Sequence, residues 1–305
     1  MNILITGGNG YVGRCIVNKL IEDSHTVINY NRRMQLPNQH SRNIFQLGEL
    51  SDLSRLISVI KQYNVERIIH TSAQSHPLVS LDMPLATVEI NTMGLMNIFE
   101  AARLSGIKRV VCYSSDTAYG KADVDVVTEE QPLCPTTPYG VTKATAEMMA
   151  RAYNKSFDMD IIALRVCAIY GPGQVMPEYI RDVINAAKTG EPFIMERGGD
   201  HKYNLAYVTD VADASIKACF TEKKNDLAVY NITSGYQPTL GELANIVGKA
   251  FPDSEISIGP GTMDGWDVRG FFSIEAARRD LGYEPKVSLE EGMHNYIEWL
   301  KQNAY

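Results

Sequence analysis

The sequence predicts an α/β fold with a doubly wound parallel sheet and a smaller C-terminal α/β lobe. Through residues 1–170, short apolar segments alternate with longer segments whose apolar residues recur at helical spacing. Such alternation is typical of a parallel sheet covered by helices on both faces. Beyond residue 170 the alternation becomes irregular, and a chain of 305 residues is long for one domain. These two observations predict the second lobe.

Strands and helices can be assigned in order along the chain. The predicted strands are residues 3–5, 26–30, 44–47, 68–70, 110–113 and 161–164. The predicted helices begin at residue 12 and then cover 53–62, 85–104 and 139–157. A helix over 210–220 and a strand over 229–232 are expected to return to the main sheet. We therefore predict a nucleotide-binding domain from 1–170 plus about 207–233, and a substrate-binding lobe from about 171–206 plus 234–305.

The composition restricts the function classes. A net charge of −7 and the lack of a Lys/Arg-rich run argue against nucleic acid as a partner. No apolar segment reaches the ~18 residues of a membrane-spanning helix, and no signal-like segment precedes the first strand. The five cysteines form no CxxC pair, and the six histidines show no metal-ligand spacing. We expect a cytoplasmic protein with free thiols and no metal.

A glycine-rich turn follows the first strand and leads into an amphipathic helix. In that context glycines let the backbone approach a ligand closely, and the helix N-terminus offers N–H groups to a pyrophosphate. This placement favours a dinucleotide site over a turn without a ligand. The predicted cofactor contacts are Gly7, Asn9, Gly10, Tyr11, Val12 and Gly13.

The end of the second strand bears on the choice of cofactor. An acid there binds the 2′-hydroxyl of NAD, whereas arginine suits the 2′-phosphate of NADP. Here Asn31 is followed by Arg32 and Arg33, which favours NADP and leaves NAD as an alternative. The two arginines can also be simply solvated. After the third strand, Glu49 and Leu50 are expected to border the adenine.

The loop after the fourth strand is small and polar, and it emerges where ligands of open α/β sheets bind. We expect Ser72, Ala73 and Gln74 to contact the cofactor, and Ser75 and His76 to contact the substrate.

Asn91 lies among apolar residues in the predicted 85–104 helix. A buried amide at such a position needs hydrogen-bond partners. We therefore place it at the cofactor site with a role in a proton relay, while a solvated or capping-type role remains the alternative.

Tyr139 and Lys143 form the predicted reactive pair. They lie four residues apart at a helix start, so both project to one face. A cation beside a phenol lowers the phenol's pKa from its ordinary value near ~10 and makes it a usable acid–base group. Ser115, at the tip of the fifth strand, can hydrogen-bond the same substrate oxygen. A Tyr-x-x-x-Lys pair alone is usually structural, but its position in this chain favours catalysis.

In this scheme hydride leaves an alcohol carbon for the nicotinamide while Tyr139 takes the hydroxyl proton. Lys143 can also reach a ribose hydroxyl of the cofactor.

Together these residues resemble the extended short-chain dehydrogenase/reductase family of NAD(P)-dependent sugar epimerases and dehydratases. The resemblance covers the whole chain and implies Tyr139 as base, Lys143 as its partner and Ser115 as substrate-oxygen partner. It also implies a homodimer built from the helices around Asn91 and after Tyr139. The motifs that carry it are the 7–13 glycine turn, Asn91, Ser114-Ser115, Tyr119-Gly120, Tyr139 to Lys143, Leu164-Arg165, Tyr170 to Gly173, and Tyr207 to Val211.

Three departures from the family pattern concern the substrate. Ala168 replaces an asparagine that touches the substrate in nucleotide-sugar epimerases, and Tyr203 replaces an arginine that clamps the diphosphate. Asp116 matches the aspartate of dehydratases, but Thr117 replaces the following glutamate, so dehydration is not expected. Lys202 and Arg269 remain as candidate anion contacts, for a diphosphate or for a smaller group such as a sugar carboxylate.

We therefore predict an NAD(P)-dependent enzyme acting on a sugar hydroxyl, a nucleotide-sugar epimerase or 4-ketoreductase. A free sugar or sugar-acid dehydrogenase is the alternative within this class. A non-catalytic cofactor-sensing protein is the alternative from another class, and the intact Ser115, Tyr139 and Lys143 argue against it.

Overall fold

The computed structural model describes residues 1–34, 40–224, 226–263 and 265–303. The predicted lobe includes residues 264, 304 and 305, which lie outside this described part. The strands are β1 (Asn2–Thr6), β2 (Thr26–Asn31), β3 (Asn43–Leu47), β4 (Arg67–His70), β5 (Arg109–Ser115), β6 (Ala122–Val127), β7 (Asp160–Val166), β8 (Ala168–Tyr170), β9 (Phe193–Met195), β10 (Leu205–Tyr207), β11 (Val229–Ile232), β12 (Ile256–Ile258) and β13 (Arg269–Phe272).

The helices cover both faces of the main sheet and most of the second lobe. They are α1 (Tyr11–Glu22), α2 (Leu53–Gln62), α3 (Val79–Asp82), α4 (Pro84–Val88), α5 (Gly94–Leu104), α6 (Pro138–Phe157), α7 (Tyr179–Thr189), α8 (Val208–Phe220), α9 (Leu240–Ala250), α10 (Glu275–Leu281) and α11 (Leu289–Gln302).

A seven-stranded parallel sheet forms the centre, in the order β11-β7-β5-β4-β1-β2-β3. The strand order reverses direction at β1, which pairs with β2 on one side and with β4 on the other. Open sheets of this kind bind ligands outside the carboxyl ends of the strands at that reversal. The prediction of a doubly wound parallel sheet is confirmed, including the return of β11 beside β7.

The alternation of side chains along each strand divides the core into two layers. Ile3 and Ile5 pack with α1 and α8 on one face, whereas Leu4 packs with α2, α5 and α6 on the other. Both layers are mainly apolar at the strands because parallel sheets are buried on both sides. The buried layers fix the strand ends that carry the candidate site.

A third apolar cluster lies outside these layers and forms the smaller lobe. It joins α7, α9 and α11 around buried residues such as Leu243 and Tyr296. The short strand β8 pairs with β10, and β9 pairs with β12, both in parallel. The lobe is therefore an α/β unit, in agreement with the predicted fold class.

Two segments differ from the prediction. The predicted helix over 85–104 is interrupted by a π-helical turn at Glu89–Met93, between α4 and α5. No strand or helix is predicted between residues 113 and 139, but this segment contains β6, which pairs with β13 near the other end of the chain. Neither feature has a local sequence signal, because one is a change of hydrogen-bond register and the other a long-range pairing.

Within the described ranges, no helix combines the length and the apolar character needed to cross a bilayer.

Candidate active site

A cavity of about 1400 Å³ opens along the carboxyl edge of the sheet and extends to the smaller lobe. Every predicted site residue lines this cavity except Asn91. The glycine turn, the ends of β2, β4 and β5, the start of α6 and the face of the lobe therefore meet in one continuous space. No group of three or more His, Cys, Asp or Glu side chains in the described part could hold a metal ion.

The glycine turn is shaped by contacts that leave no room for side chains. Gly7 adopts a φ of +72°, and the amide of Gly10 donates to the Gly7 carbonyl at 2.8 Å. A Cβ on Gly13 would lie 2.1 Å from the Gly7 carbonyl oxygen. Gly10 precedes α1 and provides no side-chain cap. The first N–H groups of the helix therefore face the cavity without a capping partner. This cradle fits a pyrophosphate.

The first turn of α1 is also bonded to the segment that leads into the smaller lobe. The Tyr11 hydroxyl donates to the carbonyl of Gly171 at 3.0 Å. The Arg14 Nη2 donates to the carbonyl of Pro172 at 3.3 Å. Tyr11 thus lines the cavity and at the same time ties the glycine turn to residues 171–172.

A chain of amides lies at the end of the cavity beside β2. Asn31 Nδ2 donates to Asn29 Oδ1, and Asn29 Nδ2 donates to Asn9 Oδ1 at 2.9 Å. Arg32 and Arg33 line the cavity beside them and are exposed. No carboxylate follows β2 directly, as the sequence indicates.

Glu49 and Leu50, which are predicted to border the adenine, line the cavity beyond β3. The Glu49 carbonyl accepts a hydrogen bond from Tyr30 at 2.9 Å. Leu50 lies against Gly94 at the start of α5, where a Cβ would come within 3.0 Å of its side chain. Glu49 therefore contributes backbone to this wall, and Leu50 contributes an apolar surface.

Asn91 lies behind the cavity wall, which differs from the prediction that it contacts the cofactor. Its Oδ1 accepts from the Gln74 amide at 2.8 Å, and its Nδ2 donates to the Gln74 carbonyl at 2.9 Å and to Thr142 Oγ1 at 3.2 Å. The π-helical turn turns this side chain toward both partners. With all its amide groups used by protein, Asn91 fixes the Ser72–Ala73–Gln74 loop against α6.

Ser75 and His76 reach across the cavity mouth to the opposite loop. Ser75 Oγ donates to the Met176 Sδ at 3.3 Å, and His76 Nε2 donates to the Pro177 carbonyl at 3.2 Å. Both predicted substrate residues therefore border the cavity while bridging its two walls.

Tyr139 and Lys143 project from the first two turns of α6. Thr137 caps this helix by accepting from the Gly140 amide at 3.1 Å, and Pro138 occupies its first turn. Tyr139 is 8% exposed and Lys143 is 6% exposed. Lys143 Nζ donates to the Tyr113 carbonyl at 2.9 Å and lies 5.4 Å from the centre of the Tyr139 ring.

The protonation of this pair differs from the prediction. Burial raises the pKa of Tyr139 above its ordinary value; a hydrogen bond with Ser115 counteracts this rise, and the charge of Asp116 adds to it. Burial also lowers the pKa of Lys143 to about 8. The expectation that Lys143 lowers the pKa of Tyr139 is therefore wrong for this structure. The reason is that both groups are desolvated and the ammonium is turned to a backbone carbonyl.

Ser115 lies at the end of β5 and is held by its neighbours. Its Oγ donates to Asp116 Oδ1 at 2.9 Å and accepts from the Thr117 amide at 3.2 Å and from Thr117 Oγ1 at 3.0 Å. Asp116 and Thr117 thus orient the hydroxyl that faces Tyr139. The three predicted catalytic residues come together at one point of the cavity.

Arg269 enters the site from β13. Its Nη1 approaches Asp116 Oδ2 at 3.4 Å, its Nη2 donates to Asp267 Oδ2 at 2.9 Å, and its Nε donates to the Gly120 carbonyl at 2.8 Å. The side chain is 16% exposed. Arg269, which is predicted to contact an anion, therefore lies between two carboxylates of the protein itself.

The far end of the cavity is aromatic. Tyr203 lies between Tyr179 and Trp266, with ring centres 6.3 and 6.2 Å away, and His201 lies 5.5 Å from Tyr203. His201 is buried with an unpaired Nδ1, and burial followed by the charge of Arg269 lowers its pKa. Tyr179 and Trp266 were not among the predicted residues. A tryptophan within a Gly- and Asp-rich stretch of sequence is a signal that could have identified Trp266.

Two further predicted substrate residues border this aromatic end. Ala168 opens β8, and Lys202 precedes Tyr203 in the segment leading to β10.

Comparison with known proteins gives the family. The profile described as "NAD dependent epimerase/dehydratase family" matches residues 3–233. The chain is 30% identical to a putative UDP-glucose 4-epimerase of Methanocaldococcus jannaschii over 320 aligned positions, which cover 99% of each protein.

Two solved structures have the same fold over the whole chain. One is the UDP-glucose 4-epimerase of Thermotoga maritima with UDP-glucose, at a TM-score of 0.90, 25% identity and 99% coverage of both chains. The other is the UDP-glucose 4-epimerase of Thermus thermophilus with NAD, at a TM-score of 0.88, 25% identity and full coverage of both chains. This protein belongs to the NAD-dependent epimerase/dehydratase family and is an enzyme of the extended short-chain dehydrogenase/reductase type.

Proposed function

We propose that this protein is a nucleotide-sugar epimerase or 4-ketoreductase that transfers hydride at a sugar hydroxyl. One observation carries the proposal: a single cavity joins the glycine turn to the cluster of Ser115, Tyr139 and Lys143. UDP-glucose 4-epimerases among its relatives and structural neighbours support the substrate class.

The residues around the glycine turn fit a dinucleotide. The close approach of Gly13 to Gly7 brings the start of α1 against the end of β1, so that unpaired helix N–H groups face the place for a pyrophosphate. An NAD(P) bound there supplies the hydride acceptor. We propose Gly7, Asn9, Gly10, Tyr11, Val12 and Gly13 as its phosphate contacts, and Glu49, Leu50, Ser72, Ala73 and Gln74 as the walls around it.

We propose Tyr139 as the acid–base group. Because burial raises its pKa, the phenol is protonated near neutrality, which is the form that donates to a ketone oxygen. In the oxidative direction the deprotonated oxygen accepts the hydroxyl proton, and the hydrogen bond with Ser115, which lowers the pKa of Tyr139, favours this deprotonated form. Lys143, one turn along α6, completes this proton site.

The smaller lobe is proposed to hold the remainder of the substrate. Its face and the neighbouring loops present Ser75, His76, Asp116, Thr117, Ala168, Lys202, Tyr203 and Arg269 to the cavity. In this scheme the domain of residues 1–170 plus about 207–233 binds NAD(P), and the rest of the chain binds substrate. Dehydration is not proposed, because Thr117 supplies no carboxyl group.

For the cofactor, we propose a preference for NADP over NAD. Arg32 and Arg33 stand at the cavity wall beyond β2, and no carboxylate directly follows the strand there. A 2′-phosphate would be neutralised by these guanidinium groups. NAD is the cofactor found in the T. thermophilus structure, and titrating NADPH against NADH measures the preference of this protein.

A homodimer is proposed from the apolar surface of α3 to α6. Leu81, Leu85, Met93 and Met148 are each more than half exposed on these helices. Exposed apolar side chains that share one face of a protein mark an association site. A Leu85→Glu/Met148→Lys variant is expected to run as a monomer in light scattering, whereas the parent is expected to run as a dimer.

The function is tested by incubating the protein with UDP-glucose and either NAD⁺ or NADP⁺. Formation of UDP-galactose without net reduction of the cofactor supports an epimerase, and consumption of reduced cofactor by a nucleotide-bound 4-keto sugar supports a ketoreductase. The ion pairs of Arg269 with Asp116 and Asp267 favour one competing function, a dehydrogenase of free sugars or sugar acids, because they leave little free positive charge for a diphosphate. Steady accumulation of reduced cofactor with a free sugar would support that alternative and overturn the proposal.

A further inference from the structure

A buried ion pair lies directly behind the proposed catalytic residues. Glu147 projects from the same face of α6 as Tyr139 and Lys143, one turn further along the helix. Its side chain is 0% exposed, and that of its partner Arg165 on β7 is 2% exposed. Neither residue lines the cavity, and the proposed reaction makes no use of them.

The pair joins α6 to the two strand ends that meet at the site. Arg165 Nε and Nη2 donate to the two carboxylate oxygens of Glu147 at 2.8 and 2.7 Å. Ser114 Oγ also donates to Glu147 Oε1, and Ser114 and Arg165 are register partners on β5 and β7. Ser114 immediately precedes Ser115. One carboxylate therefore holds the helix that bears Tyr139 and Lys143 against the strand end that bears Ser115.

The remaining guanidinium nitrogen of Arg165, Nη1, is also bonded to protein. Its Nη1 donates to the Tyr119 hydroxyl at 2.6 Å and to the Glu129 carbonyl at 2.9 Å. Every nitrogen of Arg165 thus has a protein partner, as a buried cation requires.

Stability alone does not account for such a pair. Taking two charges out of water costs several kcal/mol per ion, and replacing a buried ion pair by apolar residues of similar volume is often neutral or stabilising. What an apolar pair would lose is the directional link to Ser114. We propose that Glu147 and Arg165 are positioning residues that set Tyr139 and Lys143 against Ser115. This inference rests on the proposed function of those three residues.

The test is a double substitution, Glu147→Leu with Arg165→Met, which removes both charges and keeps similar volume. A matched control is available on the same two strands at their opposite ends. There Arg109 Nε donates to Asp160 Oδ2 at 2.9 Å, and these residues are also register partners on β5 and β7. Arg109→Met with Asp160→Leu therefore removes a pair between the same strands far from the cavity.

We expect the Glu147/Arg165 double variant to keep its melting temperature within a few degrees, while kcat with UDP-glucose falls about 10- to 100-fold and KM changes less than about threefold. Amide hydrogen exchange should quicken at residues 114–116 and 139–143 by about tenfold or more. The control should keep kcat and leave these amides unchanged. If the pair contributed only to stability, kcat would instead return to the parental value once stability is restored.

Ser114→Ala keeps the proposal testable if the double variant does not fold, because it removes only one hydroxyl. It should lower kcat about fivefold or more, with faster exchange at 139–143. Parental kcat in Ser114→Ala or in a folded double variant, or unchanged exchange at these segments, would overturn the inference. Tyr139→Phe separates this result from the proposed function: if it retains full turnover, the catalytic assignment fails instead. If the parent has no turnover, hydrogen exchange still decides the positioning.

Discussion

Lys143 lies one helical turn from Tyr139, and its ammonium stands 5.4 Å from the centre of the phenol ring while it donates to the Tyr113 carbonyl. Both groups are buried, so desolvation affects each of them in the direction of its neutral form. At neutral pH the phenol is therefore neutral, whereas the nearby ammonium keeps its charge although burial disfavours it.

Replacing Tyr139 by Phe should reduce turnover by a factor of about 10² to 10⁴, because the acid–base oxygen is removed. The dissociation constants of NADH and NADPH should stay within about twofold, since the ring remains. Tyr153→Phe is the matched control: it removes a hydroxyl from the same helix, where that group donates to Glu100 at 2.7 Å. Full turnover in Tyr139→Phe would remove the proposed mechanism.

Replacing Lys143 by Met should change how stability depends on pH. Burial lowers the pKa of Lys143 to about 8 from its ordinary 10.5. Between these values the unfolded chain binds more protons than the folded protein, so the parent gains stability as pH rises through this window. Below pH about 8 the parent carries the full cost of the buried charge, on the order of 3 kcal/mol.

Urea unfolding of parent and Lys143→Met from pH 7 to 10 measures this difference. We expect the free energy of unfolding of the parent to rise relative to that of the variant across the window. Lys61→Met, at an exposed position on α2, should show no such trend. A difference between parent and Lys143→Met that is independent of pH would contradict the assignment.

Removing the two arginines beyond β2 should weaken NADPH binding. An Arg32→Ala/Arg33→Ala variant is expected to raise the dissociation constant of NADPH about tenfold or more and that of NADH less than about twofold. Arg42→Ala, at an exposed position before β3, serves as the charge-matched control for one arginine. If the parent binds NADH as tightly as NADPH in a fluorescence titration, the proposed preference is wrong.

Adding a methyl group at Gly13 should damage the cradle. A Cβ there would lie 2.1 Å from the Gly7 carbonyl oxygen, so α1 must move away from β1. We expect a loss of about 1–3 kcal/mol in the free energy of unfolding and at least about tenfold weaker cofactor binding. Gly248→Ala on α9, where nothing lies within 4 Å, should instead stabilise by about 0.5–1 kcal/mol. Equal behaviour of the two variants would contradict this account.

Much of the sheet could be predicted because its signals are local. The apolar run 3–5 and the segment 229–232 each carry the signature of a strand buried on both faces, and both lie in the main sheet. The capping box of Thr239 and Glu242 is likewise a short-range pattern, and the structure contains it.

Features that depend on distant partners could not be predicted in this way. The segment of β6 contains two exposed aspartates and pairs with β13 far along the chain. The direction in which the pKa of Tyr139 shifts depends on how deeply α6 is buried. The spacing of residues in the sequence does not reveal this depth. The expectation that Asn91 needs hydrogen-bond partners is correct. Its actual partner Gln74 depends on the π-helical turn that carries Asn91.

The hydroxyl of Tyr11 bonded to Gly171, with Arg14 bonded to Pro172, connects the first turn of α1 to the start of the smaller lobe. If a dinucleotide and a substrate bind on the two sides of this connection, these hydrogen bonds link their sites. Thermodynamic reciprocity then requires that whatever factor one ligand imposes on the other's affinity is returned in equal measure.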